Sequence, residues 1–434
     1  MSTAAAPVLQ KERIDILDSL RGVAILGILL MNIPSFGYSV LGGDPSLRNE
    51  AGTINYTIWY YVSLIPDGTQ RALFSILFGA GIILFTSSKT KQNDGLTTAD
   101  YFFRRQLWLI FFGLINIYIF LWNGDILFDY GCYGLLLFVF RVWEPKRLLI
   151  AAGVCFILML ARENRDLYLD KKIISRGEMV ERIDTTQVKL TERQKEYFSE
   201  MSDFRQRTFP QQRLKRMSRG QRMMTSDYSD VYEFRVSRYL SNILYYTYFS
   251  IWDVLLFMFV GMAFFKMGVL TGKAPGWWYG IMCVVGLSAG LWISYLQIQP
   301  FIDAKFNRFD YTKNVVVSLY EAGRTLRTFG IFGLIMLVYK SGLFQWFFKL
   351  MRPVGQMAFT NYLTQSISSA IIFYGFGFGL FGKLQRYEVY LVVLAIWIVQ
   401  IIWSHIWLNY FQYGPFEWVW RQLTYWKRLP IKKQ

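Results

Sequence analysis

The sequence predicts an all-α polytopic membrane protein, a single bundle of about ten transmembrane helices with both termini in the cytoplasm. Three observations carry this. Of 434 residues, 53% are hydrophobic and only 18% charged, against about 25% charged in soluble domains. The charges are bunched, leaving long apolar runs, and roughly 20 apolar helical residues cross a hydrocarbon core about 30 Å thick. The net charge of +17 then reads as cytoplasmic anchoring at anionic membrane lipid, with no nucleic-acid partner implied.

The apolar runs place spans at 17–36, 71–88, 103–122, 126–142, 147–162, 244–266, 277–297, 325–340, 355–374 and 388–408. The run 54–65 is too short to span and is expected to be interfacial or re-entrant. The N-terminus carries Glu12, Asp15 and Asp18 beside its basic residues, and no small-residue cleavage site follows the first run. That run is expected to be the first helix of the mature protein rather than a signal peptide.

Alternating the connections assigns them to two sides. One side collects Lys11, Arg13, Arg21, Lys89, Lys91, Arg104, Arg105, Arg141, Lys146, Arg147, Lys266, Lys273, Lys340, Lys349, Arg352 and the tail. The opposite connections 37–70 and 122–125 hold one basic residue between them, Arg48. The connection 298–324 runs against the bias with Lys305, Arg308 and Lys313. The positive-inside rule therefore puts both termini inside.

Three parts follow: an N-terminal membrane half (1–162), a hydrophilic basic segment (163–240) and a C-terminal membrane half (241–434). The middle segment lies outside by alternation. Its stretch 205–222 has seven basic residues and no acid. Two roles are open to it: a solvated helical hairpin, or a contact for anionic lipid or glycan. A homo-oligomer is compatible with the sequence. Cys132, Cys155 and Cys283 are far apart in apolar segments, and His405 is the single histidine, so no metal site is expected.

Ionisable and polar groups inside a bundle are functional candidates by default. Asp18 and Arg21 share a face of the first helix with Asn32. This face suits an anion at Arg21 and a polar group deeper in, or a salt bridge and an interhelical hydrogen bond. Gln70 and Arg71 open the second span, where Arg71 binds an anion or snorkels. Asp125 is one of few carboxylates at its depth and either caps the next helix or acts chemically. Asn361 and Gln365 form a polar stripe that lines a cavity or joins helices. Asp253, Glu321, Arg324 and Arg327 are further candidates. His405 is expected to be structural.

Several stretches together resemble the YeiB-like family of bacterial membrane proteins, whose C-terminal half is a domain of unknown function (418). They are LDSLRGVAILGILLMNI at 17–33, LFSILFGAG at 73–81, GDIL at 124–127, GQMAFTNYLTQS at 355–366 and GPFEWVWRQLTY at 414–425. The 163–240 segment looks longer than the family's usual connection. The first helix is also distantly similar to the transmembrane acyltransferase superfamily, which includes heparan-α-glucosaminide N-acetyltransferase and acyltransferase family three. There an Arg, ten residues and an essential His recur; here Arg21 is followed by ten residues and Asn32.

That resemblance implies an enzyme of the bacterial plasma (inner) membrane. Acyl-CoA would be its cytoplasmic donor, held near Arg21, Arg104 and Arg105, and a glycan or lipid-linked molecule its outer acceptor; Asp18, Arg71, Asn361 and Gln365 complete the residues expected to bind donor or substrate. Residues 33–70 contain no histidine. Asn32 cannot act as a base but can stabilise an oxyanion. The base would be a carboxylate, Asp44, Asp67 or Asp125, raised in pKa by burial. Two other functions fit the residues: a small-solute transporter lined by Asn361, Gln365, Asp125 and Arg71, or a non-catalytic scaffold whose 163–240 segment binds a partner.

Overall fold

A computed structural model describes residues 14–38, 43–90, 95–184, 186 and 188–433. Lys11, Arg13 and Lys91, and the features before residue 14 that bear on a leader, lie outside the described residues. Among the described residues the regular secondary structure is all helical, apart from one isolated bridge between Phe411 and Lys432. The helices are α1 (Asp15–Gly37), α2 (Ile54–Leu64), α3 (Thr69–Thr90), α4 (Gly95–Tyr118), α5 (Leu127–Leu137), α6 (Pro145–Glu181), α7 (Glu192–Thr208) and α8 (Pro210–Met224). They continue with α9 (Tyr228–Lys266), α10 (Gly276–Asp303), α11 (Arg308–Asn314), α12 (Tyr320–Lys340), α13 (Gln345–Gln356), α14 (Ala358–Phe373), α15 (Arg386–Tyr410) and α16 (Pro415–Tyr425).

The ends of these helices follow local chemistry. Asp15 and Asp18 sit in the first turn of α1, where the helix dipole favours negative charge. Proline occupies the first position of α6, α8 and α16, where its missing N–H costs nothing. Thr191 and Gln194 form a reciprocal capping box on α7, and the Asp227 side chain caps α9. Each satisfies N–H groups that a helix start leaves free.

Among the described residues, four stretches are long and apolar enough to cross a bilayer: Asp15–Gly37, Ile54–Ser87, Gly276–Asp303 and Arg386–Tyr410. A fifth qualifies as a pair, α12 with α13, bent by 118°. The protein is thus an all-α membrane helix bundle. The fourth expected segment, 126–142, forms α5 and a 3-10 turn. At 11 residues, α5 is about 16 Å long, roughly half the hydrocarbon thickness. The ninth, 355–374, is broken at Met357 between α13 and α14.

The bundle closes through small residues. A Cβ on Gly355 would stand 1.8 Å from the Asp18 carbonyl oxygen, and one on Gly22 would stand 2.2 Å from that of Met351. The backbones of α1 and α13 therefore touch, as small residues allow at a membrane crossing. This contact brings the GQMAFTNYLTQS stretch against the first helix.

The hydrophilic segment is helical and continuous with the bundle. Residue 162 lies inside α6, and residue 240 inside α9. Arg205 pairs with Glu181 at 2.9 Å, tying α7 to α6. Gly375 N donates to Met224 O at 2.9 Å, and Arg235 Nη2 donates to Ser35 O at 3.0 Å. Arg213 pairs with Asp44. The segment therefore sits on the end of the bundle where α1 terminates, about 25 Å along that helix from Asp18.

Candidate functional site

At the other end of the bundle, α1, α3, α4, α5, α13, α14 and α16 line a cavity of about 250 Å³. Its walls are mainly apolar, with Phe74, Leu77, Phe78, Phe85, Leu109 and Phe359 among them. Its charged lining consists of Asp18 and Arg21 from α1, Arg105 from α4, and Glu417 and Arg421 from α16. Tyr130 and Tyr362 also line it.

The charged groups are held by distinct means. Arg21 Nη1 donates to Asp18 Oδ1 at 2.9 Å and keeps 27% of its side-chain surface exposed. Arg105 stacks 4.0 Å over the Trp420 ring, a cation–π contact, while Trp420 Nε1 donates to the Arg105 carbonyl at 3.0 Å. Arg421 lies 4.5 Å over Tyr413. Glu417 caps α14: its Oε1 accepts the N–H groups of Phe359 at 2.7 Å and Thr360 at 3.0 Å, and its Oε2 accepts the Thr360 hydroxyl. Three guanidinium groups thus surround a space whose two carboxylates already have partners.

Asp125 stands behind the cavity wall. The Tyr362 hydroxyl donates to Asp125 Oδ1 at 3.2 Å and accepts the Ile126 N–H at 3.1 Å. Asn116 Nδ2 donates to Oδ1 at 2.7 Å, and the Phe128 N–H donates to Oδ2 at 2.8 Å. Asp125 therefore does hold the start of α5. Burial nonetheless pushes its carboxyl up to about 7, against the pull of these donors. Tyr362 is the link between this carboxylate and the cavity.

The remaining sequence candidates lie elsewhere. Arg104 pairs with Asp100 at 2.9 Å and stacks near Trp426, outside the cavity lining. Asn361 donates to Val354 O and Ser404 Oγ at 3.0 Å. Gln365 donates to Ile25 O at 3.2 Å and Gln400 Oε1 at 3.0 Å. The polar stripe thus joins α14 to α1 and α15. Asn32 is half-buried near the far end of α1, away from the cavity. His405 Nδ1 meets Ile401 O at 3.0 Å.

Arg71, itself partly exposed, is the outer member of a second charge chain whose other members are buried. It pairs with Asp253, which also meets Arg324 at 2.5 Å. Arg324 Nε donates to Glu321 at 2.8 Å, and Glu321 meets Arg162 at 3.3 Å. The chain links α3, α9, α12 and α6. Asp67 is next to it, accepting the Tyr320 hydroxyl at 3.1 Å. Arg327 donates to the carbonyls of Leu64 and Ile65 at 2.8 Å, ending α2.

Residues that sequence reasoning passed over as site candidates are Tyr362, Glu417, Trp420, Arg421 and Gln106. The first four lie within the quoted GQMAFTNYLTQS and GPFEWVWRQLTY stretches, and that placement was the available signal. Gln106 had only its adjacency to Arg105.

The model of the family described as "Protein of unknown function (DUF418)" matches residues 264–427. The "Uncharacterized protein YxaH" of Bacillus subtilis (strain 168) is 30% identical, covering 99% of this chain and 98% of the relative. The "Uncharacterized protein YeiB" of Escherichia coli (strain K12) is 27% identical over 95% of this chain and 96% of its own length. No solved structure matches. The chain belongs to the YeiB-like DUF418 family of membrane proteins.

Proposed function

We propose that this protein is an acyltransferase-like enzyme of the bacterial inner membrane, and that the cavity is its donor site. The observation that carries this is a single space combining an apolar interior with Arg21, Arg105 and Arg421. Such a space suits an acyl chain attached to a phosphate-bearing carrier such as acyl-CoA. Guanidinium groups match phosphate geometry, and the chain gains from leaving water.

The chemistry requires a base near the reacting carbonyl. Tyr362 lines the cavity, and its hydroxyl donates to Asp125 at 3.2 Å. In the transfer, the acceptor hydroxyl oxygen attacks the thioester carbonyl while its proton passes through Tyr362 to Asp125. The C–S bond then breaks, and the leaving thiolate takes a proton back along the same path. Tyr362 is the catalytic residue in this account and Asp125 a positioning and proton-holding residue. Asn32 and Asp67, away from the cavity, have no part in the step.

With the cavity mouth in the cytoplasm, α8 stands on the outer side. Its exposed Lys215, Arg216, Arg219 and Arg222 face anionic lipid or glycan there. The solute-path reading loses support because Asn361, Gln365, Asp125 and Arg71 do not share one cavity.

Purified protein in lipid nanodiscs tests the reading. Acyl-CoA is expected to be bound and slowly hydrolysed or transferred, with both reduced by Arg21→Ala and the chemical step alone by Tyr362→Phe. No acyl-CoA binding, or binding indifferent to Arg21, would sink it.

A further inference from the structure

Arg71 keeps most of its hydrogen-bonding capacity unused. Its Nη2 donates to Asp253, and among the described residues the guanidinium has no other partner. The remaining N–H donors are uncommitted, and 42% of the side chain is exposed. That surface is not on the cavity described above, whose lining on α3 begins one turn later, at Phe74. Asp253 lies about 20 Å of helix rise from the end of α9 at Lys266, within a hydrocarbon layer about 30 Å thick. A guanidinium exposed to lipid at that depth is expensive, so the exposed side of Arg71 belongs to a polar crevice.

Asp129 of α5 stands beside it. Asp129 Oδ2 accepts the Ser250 hydroxyl at 3.2 Å, and Ser250 is one turn before Asp253 on the same face of α9. Arg71 and Asp129 thus attach to neighbouring positions of one helix face, roughly 5–6 Å apart. Asp129 is half-buried, and its Oδ1 has no partner among the described residues. A cation with free donors and a carboxylate with a free oxygen call for the complementary pair, an anion and a hydroxyl donor. Guanidinium geometry matches phosphate.

We propose that Arg71 and Asp129 form a second ligand site, between α3, α5 and α9, which holds a phosphate group with a hydroxyl a few atoms away, as in phosphoglycerol. Two sources share this chemistry, a phospholipid headgroup and a soluble glycerol phosphate. Tyr130 lines the cavity and its hydroxyl donates to the Arg71 carbonyl at 3.1 Å, so the two sites are neighbours. The ligand is therefore placed to be the hydroxyl acceptor of the transfer proposed above. That role rests on the reading above; the binding does not.

Binding to the full-length protein in non-ionic detergent tests it, with dioctanoyl phosphatidylglycerol, dioctanoyl phosphatidylmethanol and glycerol 3-phosphate as probes. Phosphatidylmethanol keeps the phosphate and lacks the hydroxyl. Arg71→Gln is expected to weaken both lipids about tenfold or more, and it should fold because Asp253 keeps Arg324 at 2.5 Å. Asp129→Asn can still accept from Ser250. It should weaken phosphatidylglycerol about fivefold or more and phosphatidylmethanol less than about twofold, and it serves alone if Arg71→Gln fails to fold. Glycerol 3-phosphate that binds as tightly as phosphatidylglycerol identifies a soluble ligand, and weaker binding a lipid. The inference is overturned if wild type does not bind phosphatidylglycerol, if Arg71→Gln binds it as well as wild type, or if Asp129→Asn shows no selective loss. An equal loss in Arg21→Ala would place the lipid in the cavity and overturn it too. None of these outcomes touches acyl-CoA binding at the cavity, on which the reading above stands or falls.

Discussion

Replacing Glu417 should loosen the joint between α14 and α16, and the size of the effect should depend on what replaces it. The carboxylate accepts the N–H groups of Phe359 at 2.7 Å and Thr360 at 3.0 Å, and also the Thr360 hydroxyl. These N–H groups are among those a helix start leaves free. Hydrogen bonds to a charged group contribute about 1.5–3 kcal/mol each. Glu417→Ala removes all three, but the cavity side gives water some access to the freed donors, so the loss should be about 3–5 kcal/mol. Glu417→Gln keeps one oxygen for the two N–H groups, and the Thr360 hydroxyl can turn to accept from the new amide. It loses mainly the charge at the helix start, about 1–2 kcal/mol. Thermal unfolding in one fixed detergent should rank wild type above Gln and Gln above Ala. An alanine variant that melts with wild type would refute the cap, and a glutamine variant as weak as alanine would refute the hydrogen-bond reasoning.

Three further outcomes are expected. Gly355→Val should prevent α1 and α13 from touching, because its Cβ alone would be 1.8 Å from the Asp18 carbonyl; a loss above about 3 kcal/mol should appear as failure to purify as a monodisperse species. Arg324→Ala leaves buried Asp253 and Glu321 short of a cation and should cost about 3–5 kcal/mol, whereas Arg104→Ala at the exposed pair should cost under about 1 kcal/mol; equal melting points for the two would contradict the buried chain. Because burial raises the Asp125 carboxyl to about 7, the folded state binds more protons than the unfolded state between pH about 4 and about 7. Its stabilising contribution is therefore present at acid pH and lost as pH rises through that window, while catalytic turnover should rise as the base ionises near pH 7; an Asp125→Asn variant with the wild-type pH profile would exclude this role.

The helical class and most helix positions were legible because apolar runs report burial in lipid directly. The pairing of Asp18 with Arg21 was legible from local spacing, since residues three apart share a helix face. The truncation of α5 was not, since its apolar pattern continues to Val142 and only packing breaks it into a helix and a 3-10 turn. The continuation of α6 past Arg162 was hidden by the switch from apolar to polar residues, which marks exposure and not the end of a helix. The site itself depends on long-range contacts. Arg105 and Trp420 are 315 positions apart, and Asp125 and Tyr362 are 237 apart. Asn32 shares a helix with Arg21, but that helix carries it away from the cavity by about 16 Å of rise.

The most direct test of the account is photo-crosslinking with an acyl chain that carries a diazirine, followed by mapping of the labelled residues by mass spectrometry. The account predicts adducts on cavity residues such as Phe78, Phe85, Leu109 and Phe359, suppressed by unlabelled acyl-CoA and by Arg21→Ala. Adducts confined to outward-facing residues such as Ile281 and Val284 of α10, unaffected by competitor, would contradict it.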